Sequence, residues 1–510
     1  MKILFVKASH VTPVQPSIIP PLGILYLAGY LDRHRPHHEL RMIDLRLMPQ
    51  SEYERVLAEY RPDVVGISLM TIEAPHAHRC AATARRMLPE STIVFGGPHP
   101  TNYVEEVFAD PHVDFAVVHE GEITFTELLD AIESRSGFDS VKGIVYRSPS
   151  SPKGFVETDA RPFVSDLDSL PHPLWSMVDF DLYETVKSMS LIGPRRCAPL
   201  TTSRACPYRC SYCHDMFGKK FQKRSVENVL DEIEMIVRQY DVREFEIVDD
   251  IFNLDRPRAT AILQGIIDRK LGIGLAFPNG LRGDLMDEEM VDLFARAGTR
   301  YVSIAVETAS PRLQKQIRKN LRIPKIEDTI RWFVERRVYT NCFYMLGFPS
   351  ETLDEMKATV EFAIRQPSHT SMFFVVVPYK GTTMNAELPD PSVASELEGL
   401  SYNEGGINVS GEVSTEEIQR LIKVAYLRII ADPARIWRLL RDHPNKRYLP
   451  AMASIVVNRL VWDNLNQTDF VSRLRRAVGL GERGRTLVPR VMRDAEARAS
   501  AQSADRTATF

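Results

Sequence analysis

Short apolar runs separated by amphipathic stretches recur twice along the 510 residues, and this double alternation confines the chain to an α/β architecture. In the first series Lys2–Val6, Leu40–Asp44, Asp63–Ser68, Thr92–Phe95 and Asp114–Val118 read as strands. Pro21–Asp32, Pro75–Leu88, Asn102–Phe108 and Glu122–Glu133 read as helices between them. Strands joined through helices run parallel, so residues 1–147 are expected to form an open sheet with helices on its faces, a Rossmann-like domain. Its ligand edge lies at the carboxyl ends of the strands.

The second series begins near Ala198, with strands near Leu200–Ser203, Glu244–Asp249, Ile273–Phe277, Tyr301–Val306, Thr340–Leu346 and Met372–Val377. Its helices are well marked: Val226, Val229, Leu230, Ile233, Val237 and Tyr240 recur at intervals of three and four, behind a capping Ser225. Six strand–helix units are two short of a closed barrel, which predicts a partial (β/α)6 TIM-type barrel over residues 196–400. Residues 148–195, rich in Pro, Ser and Asp, read as a linker. Ser414–Glu417 opens an apolar helical stretch that makes 401–480 a C-terminal helical domain. Arg, Ala and Ser dominate 481–510, the composition of a disordered tail.

A net charge of −3 and a pI near 6.5 leave no concentrated basic face for nucleic acid. The apolar start Met1–Lys7 is too short for a signal peptide, and no stretch approaches the ~18 uncharged apolar residues of a membrane span, so a cytoplasmic protein is expected. Cys80, Cys197 and Cys342 stand alone, as in a reducing compartment.

The other three of the six cysteines fall within eight residues, Cys206-Pro207-Tyr208-Arg209-Cys210-Ser211-Tyr212-Cys213. Thiolates this close can take three corners of a cubic 4Fe-4S cluster, leaving one iron open to a small molecule's amino and carboxylate groups. A structural zinc site is the competing reading; it wants a fourth ligand, which His214 supplies only awkwardly. Chance clustering of buried thiols and redox sensing are the others.

Further candidates sit where strands end. Gly96-Gly97-Pro98-His99 and Glu120-Gly121-Glu122 follow strands of the first series; Asp249-Asp250, Glu307 and Gly347-Phe348-Pro349 follow strands of the second. Carboxylates there can hold hydroxyl and amino groups by charge-assisted bonds, with helix capping or a rim salt bridge as the plain alternatives. Cys342 falls within a strand, either facing the barrel interior or as a structural thiol.

The cysteine spacing, with Tyr212 before the last Cys, resembles the cluster loop of the radical S-adenosylmethionine superfamily. Pro20–Gly23, Gly96–Thr101 and Glu120–Glu122 resemble, in order, the loops of the cobalamin-binding domain at the front of one large class of that superfamily. Val306–Pro311, Gly347–Thr352 and Pro378–Thr382 resemble its later signatures, so the likeness spans nearly all of residues 1–480. It implies that Cys206, Cys210 and Cys213 hold a 4Fe-4S cluster. S-adenosyl-L-methionine is expected near Tyr212, Asp249, Glu307 and Gly347, and cobalamin near Met70, Thr71, Gly96, Gly97, Glu120 and Gly121. Strand-end packing is an equal reading for Met70 and Thr71. The chain departs from the pattern at Ala205, where many relatives have Gly. It also lacks an Asp-x-His-x-x-Gly string: Asp110–Phe115 has no Gly, and no His is expected to ligate cobalt.

The implied reaction is methylation of an unactivated carbon, or phosphorus, of a small molecule through a 5′-deoxyadenosyl radical, with electrons from a flavodoxin- or ferredoxin-type donor. A radical oxidative cyclase like the anaerobic Mg-protoporphyrin ester cyclase is the alternative. A transfer-RNA methylthiotransferase would need three cysteines in its front domain, where this chain has only Cys80 within the first 190 residues. A non-catalytic electron-transfer or scaffold protein is the third reading.

Overall fold

In the computed structural model residues 1–9, 17–388 and 409–457 are described. Met1–Leu449 forms one compact unit and Pro450–Phe510 a second, of which the described part is the end of a helix spanning Leu449–Val457. The expected tail at 481–510 and the far part of the helical domain lie outside the described residues.

The first sheet contains β1 (Lys2–Lys7), β2 (Glu39–Asp44), β3 (Val64–Ser68), β4 (Thr92–Gly96), β5 (Phe115–Val117), β6 (Ile144–Arg147) and β7 (Phe155–Glu157), in the order β2-β1-β3-β4-β5-β6-β7. The first five strands are parallel, and the order reverses direction at β1, which opens a crevice between β1 and β3 at their carboxyl ends. Strand parity sends Leu4, Val6, Val65 and Ile67 to one helical layer and Ile3, Phe5, Val64 and Val94 to the other, so both faces are buried. Two findings differ from the sequence reading. A helix over Gln50–Tyr60 connects β2 to β3, and β7, inside the stretch read as linker, extends the sheet antiparallel to β6. The rest of that stretch is packed: Trp175 is buried with its indole N–H on Glu232 at 2.9 Å, and the Tyr183 hydroxyl donates to Asp44 at 2.7 Å.

The second sheet has six parallel strands: β8 (Cys197–Leu200), β11 (Glu244–Ile247), β12 (Gly274–Leu281), β13 (Thr299–Glu307), β14 (Tyr339–Leu346) and β15 (Thr370–Val375). Their order, β15-β14-β13-β12-β11-β8, is that of an open barrel with β8 and β15 at its edges. The first strand ends at Leu200, three residues before the sequence reading placed its end. The chain then forms a small antiparallel ribbon from β9 (Ser203–Arg204) and β10 (Gln222–Lys223), which closes the base of the intervening cysteine loop.

The helix Val226–Tyr240 lies where its periodicity predicted, with Ser225 Oγ accepting from Asn228 N. The helix Thr415–Ile430 starts at Ser414, whose Oγ accepts from Glu417 N, and it packs on Leu353–Arg365. The next helix, Pro433–Asp442, is fastened by buried Arg435. Its guanidinium donates to the carbonyls of Ala363, Ile364 and Gln366, the negative end of helix Leu353–Arg365. His369 adds a second anchor: its Nδ1 accepts from Thr340 N, and Nε2 faces the Asp442 carboxylate at 3.1 Å. Replacing Arg435 with Ala strips three buried carbonyls of a charged donor, and about 3 kcal/mol or more of stability should be lost. The check is the thermal midpoint and the protease sensitivity of the 415–442 helices.

Candidate functional site

The cysteine loop departs from β9 with a strained step. Ala205 is buried with φ = +68°, a conformation that costs a residue with a Cβ roughly 1–2 kcal/mol. The Asp250 carboxylate lies beside the Ala205 backbone N–H. Beyond it Cys213 N donates to Cys210 O at 3.1 Å, Ser211 N to Ile317 O and Met384 N to Ser211 O, so the short helices Pro311–Gln316 and Thr383–Ala386 grip the loop. Arg282 lies over the Tyr208 ring at 3.7 Å. Cys206 and Cys210 are half-buried and Cys213 is exposed. Among the described residues, the only His, Cys, Asp or Glu trio with ligating atoms all within 4.8 Å is His37, His38 and Glu133.

The candidate residues at the barrel rim do three different things. Asp249 is buried and turned inward, accepting from Thr202 N at 2.6 Å, Thr202 Oγ1 at 2.5 Å and Ser203 Oγ at 2.6 Å. It therefore holds the base of the cysteine loop, and its neighbour Asp250 is the carboxylate that lines the adjacent cavity. Glu307 has φ = +65° and meets Lys319 Nζ at 2.7 Å and the Tyr212 hydroxyl at 3.2 Å, all through Oε1. Tyr212 packs against Phe348, and burial holds its hydroxyl well above the usual phenol range. Lys319, absent from the sequence reading, lies on a turn where no motif marks it. Gly347 (φ = +90°) and Phe348 donate their N–H groups to Glu351 Oε2 at 2.6 and 3.0 Å, while Glu351 Oε1 is buried without a hydrogen-bond partner. Burial pushes the Glu351 carboxyl up to about 7.

Of the two readings of Cys342 the structure matches the buried thiol, not the one facing the barrel interior. On β14 it shares parity with Tyr344 and Leu346, all packed into the helix-facing core, whereas Phe343 and Met345 occupy the other face. Burial pushes its thiol up to about 11, and it is not in the wall of the cavity beside the cysteine loop.

A cavity of about 980 Å3 separates the ligand edge of the first sheet from the cysteine loop. Met70, Thr71, Gly96, Gly97, Glu120 and Gly121 line it from one side; Cys206, Cys213, His214, Lys219, Asp250 and Asn279 from the other. Tyr212, Asp249, Glu307 and Gly347 are not in its wall, so the structure divides the predicted residues into a cavity group and a rim group. The carboxyl-terminal residues of four strands, Lys7, Ser68, Gly96 and Val117, are in register along the cavity edge. Gly97 has φ = +104°, and a Cβ there would lie 2.8 Å from Leu69 O, so only Gly fits. The Met70–Thr71 turn is fixed from beneath, where Glu73 accepts from Met70 N at 2.8 Å and pairs with buried Lys7. Met70 is half exposed, and Phe5, Gly66 and Phe125 are also in the cavity wall.

Glu120 makes an ion pair across this gap. Arg204, on β9, donates Nη1 to Glu120 Oε1 and Nη2 to Glu122 Oε1, each at 2.6 Å, with all three side chains buried. The guanidinium lies 5.2 Å from the Tyr26 ring and 5.4 Å from that of Phe217. Sequence reasoning missed Arg204 because an arginine flanking a cysteine motif carries no signature of its own.

Two family models match the chain. Residues 11–129 match the model of the B12 binding domain, and residues 200–363 match that of the Radical SAM superfamily. An uncharacterized methyltransferase of Pyrococcus horikoshii is 27% identical over 87% of this chain and 95% of its own length. Cytidylyl-2-hydroxyethylphosphonate methyltransferase of Streptomyces wedmorensis is 27% identical over 79% and 84%. Among solved structures, the radical S-adenosylmethionine methyltransferase TsrM of Kitasatospora setae, with cobalamin and a 4Fe-4S cluster bound, superposes with a TM-score of 0.65. It is 18% identical and is matched over 85% of this chain and 89% of its own.

Two outcomes follow from the local chemistry. An acid held above its unfolded pKa binds its proton more tightly in the fold; Glu351 therefore stabilises most below the ordinary glutamate range and progressively less as pH rises through about 7. Melting curves from pH 5 to 8 should show the midpoint falling, with a shallower slope in Glu351→Gln. Ala205→Gly relieves about 1 kcal/mol of left-handed strain, partly offset by greater freedom of the unfolded chain. The variant should melt no lower than the parent, whereas Ala205→Val should melt clearly lower.

Proposed function

Because the chain belongs to the cobalamin-binding radical S-adenosylmethionine enzymes, we propose that it is a methyltransferase acting on an unactivated carbon, or phosphorus, of a small molecule. One observation carries the reading: a single cavity has Cys206 and Cys213 on one wall and the Gly96–Gly97 and Glu120–Gly121 loops on the other. Groups held at both walls are within one substrate's reach. The phosphonate methyltransferase and TsrM, both similar to this chain, are named for methyl transfer.

The residues present fit the groups implied. Cys206, Cys210 and Cys213 would hold the cluster, on a loop braced by the ribbon, Ser211 and Asp250. Glu307 has its Oε2 free of the Tyr212 and Lys319 contacts, and with Gly347 and Tyr212 it would bind S-adenosylmethionine. The glycine edge and the Met70–Thr71 turn would seat the corrin. When bound, the cluster with S-adenosylmethionine supplies a carbon-centred radical and cobalamin supplies a methyl group. The chain's own part is to orient, to keep water out and to space the groups. Lys319 keeps a cation against Glu307 and holds the carboxylate in one orientation. Phe217 and Met216 line the cavity beside Cys213 and would keep water from a group held there. Electrons come from a flavodoxin- or ferredoxin-type donor in the cytoplasm. No described helix is long and apolar enough to cross a membrane.

The test uses anaerobically reconstituted full-length protein, reductant, hydroxocobalamin and S-adenosylmethionine with a deuterated methyl group. Methionine, 5′-deoxyadenosine and labelled methyl on the corrin are expected, and Cys206→Ala, Cys210→Ala and Cys213→Ala should each reduce cleavage to background. Full cleavage in any one of these variants overturns the assignment. Deoxyadenosine without labelled methyl on the corrin moves the reading to the oxidative cyclase.

A further inference from the structure

The ion pair across the cavity has a position that fold stability alone does not demand. Arg204 is two residues before Cys206, and Glu120 lies in the loop that lines the other wall. The backbone is left-handed on both sides of the pair: His119, φ = +61°, directly precedes Glu120, and Ala205, φ = +68°, directly follows Arg204. Neither residue is Gly, so each conformation persists only because its surroundings impose it. Those surroundings are specific. His119 N donates to Thr101 Oγ1 at 3.0 Å, Val164 N donates to Glu120 Oε2 at 2.6 Å, and the Asp250 carboxylate lies beside Ala205 N. At the other end of the cysteine loop, Arg224 follows β10, binds Glu232 and reaches the Tyr26 hydroxyl at 3.5 Å. Both ends of the loop are thereby fixed to one tyrosine of the first domain.

We propose that Arg204 is a positioning residue that couples the two cofactor sites, so that filling the site along Glu120–Gly121 sets the geometry of the cysteine loop and the reverse. The inference rests on the cofactor reading above. The guanidinium is planar and its two arms are committed to two different carboxylates, so a shift of Glu120 rotates the group against Glu122. With Ala205 already strained and buried, that rotation cannot be absorbed before Cys206 and passes into the loop. Glu122 begins the helix Glu122–Ser134, where the helix dipole favours its charge, and it acts as the fixed arm. Glu120, in the loop along the cavity, is the arm that filling that site would displace.

Coupling between two sites is reciprocal and is read as a ratio of affinities. The experiment measures the dissociation constant of S-adenosylmethionine on cluster-loaded full-length protein, by the change in the electron paramagnetic resonance signal of the reduced cluster, with and without saturating hydroxocobalamin. The parent protein should show a ratio of at least about fivefold, the lower end of common coupling factors. Arg204→Lys keeps the charge but loses the fork. It should bind each group singly, by corrin absorption and iron content, with the ratio reduced below about twofold. Glu122→Gln, which keeps an oxygen acceptor at the same place, is the second variant should the first not fold, and its ratio should fall likewise. A parent ratio of one, or an unchanged ratio in a folded variant that loads both groups, overturns the coupling while leaving the cofactor assignment standing. Failure of the parent to take up corrin or iron overturns both.

Discussion

A buried guanidinium shared between two carboxylates ties the halves of this molecule together at the one place where their separation matters. Burying three charges is expensive unless each is paired, and here the pairing is divided between chain segments more than eighty residues apart. Glu120 and Glu122 belong to a helix start of the first sheet; Arg204 belongs to the ribbon that closes the cysteine loop. The width of the intervening cavity is set by this contact on one flank. On another flank Lys380 lies over the Tyr103 ring at 5.2 Å, after the last barrel strand.

Much of the architecture was legible from periodicity. Both faces of the first sheet are buried and parallel strands read as unbroken apolar runs, so β1, β3 and β4 stood out. The amphipathic helix at Val226–Tyr240 was equally plain, because its polar face is in water. The helix at Gln50–Tyr60 was not, since Tyr53, Leu57 and Tyr60 are its only buried residues and its composition is mostly polar. β7 was hidden for another reason: a three-residue strand added antiparallel at a sheet edge has no period to detect.

The site was legible in a different way. The cysteine spacing and the glycine loops are local and appear as short strings, whereas the orientation of a side chain at a strand end depends on the neighbouring strand. Asp249 illustrates this. A tandem Asp-Asp at a strand end leaves open which carboxylate faces out. The backbone N–H of Thr202 and the hydroxyls of Thr202 and Ser203, on the segment after β8, draw the first one inward. Cys342 was ambiguous for a related reason, since parity on β14 is fixed only once Tyr344 and Leu346 are known to face the helices. Lys319 and Arg204 gain their roles purely from tertiary contact.

The register of the first sheet has a consequence for how the protein can vary. Lys7, Ser68, Gly96 and Val117 stand abreast, and at the usual spacing between strands they make a straight ledge about 14 Å long. A flat macrocycle resting on it would touch four strands together, so inserting one residue into any of them would tilt the ring before it disturbed the packed layers beneath. Length changes in this domain should therefore be confined to the opposite rim, where loops such as Arg35–His38 enter the strands.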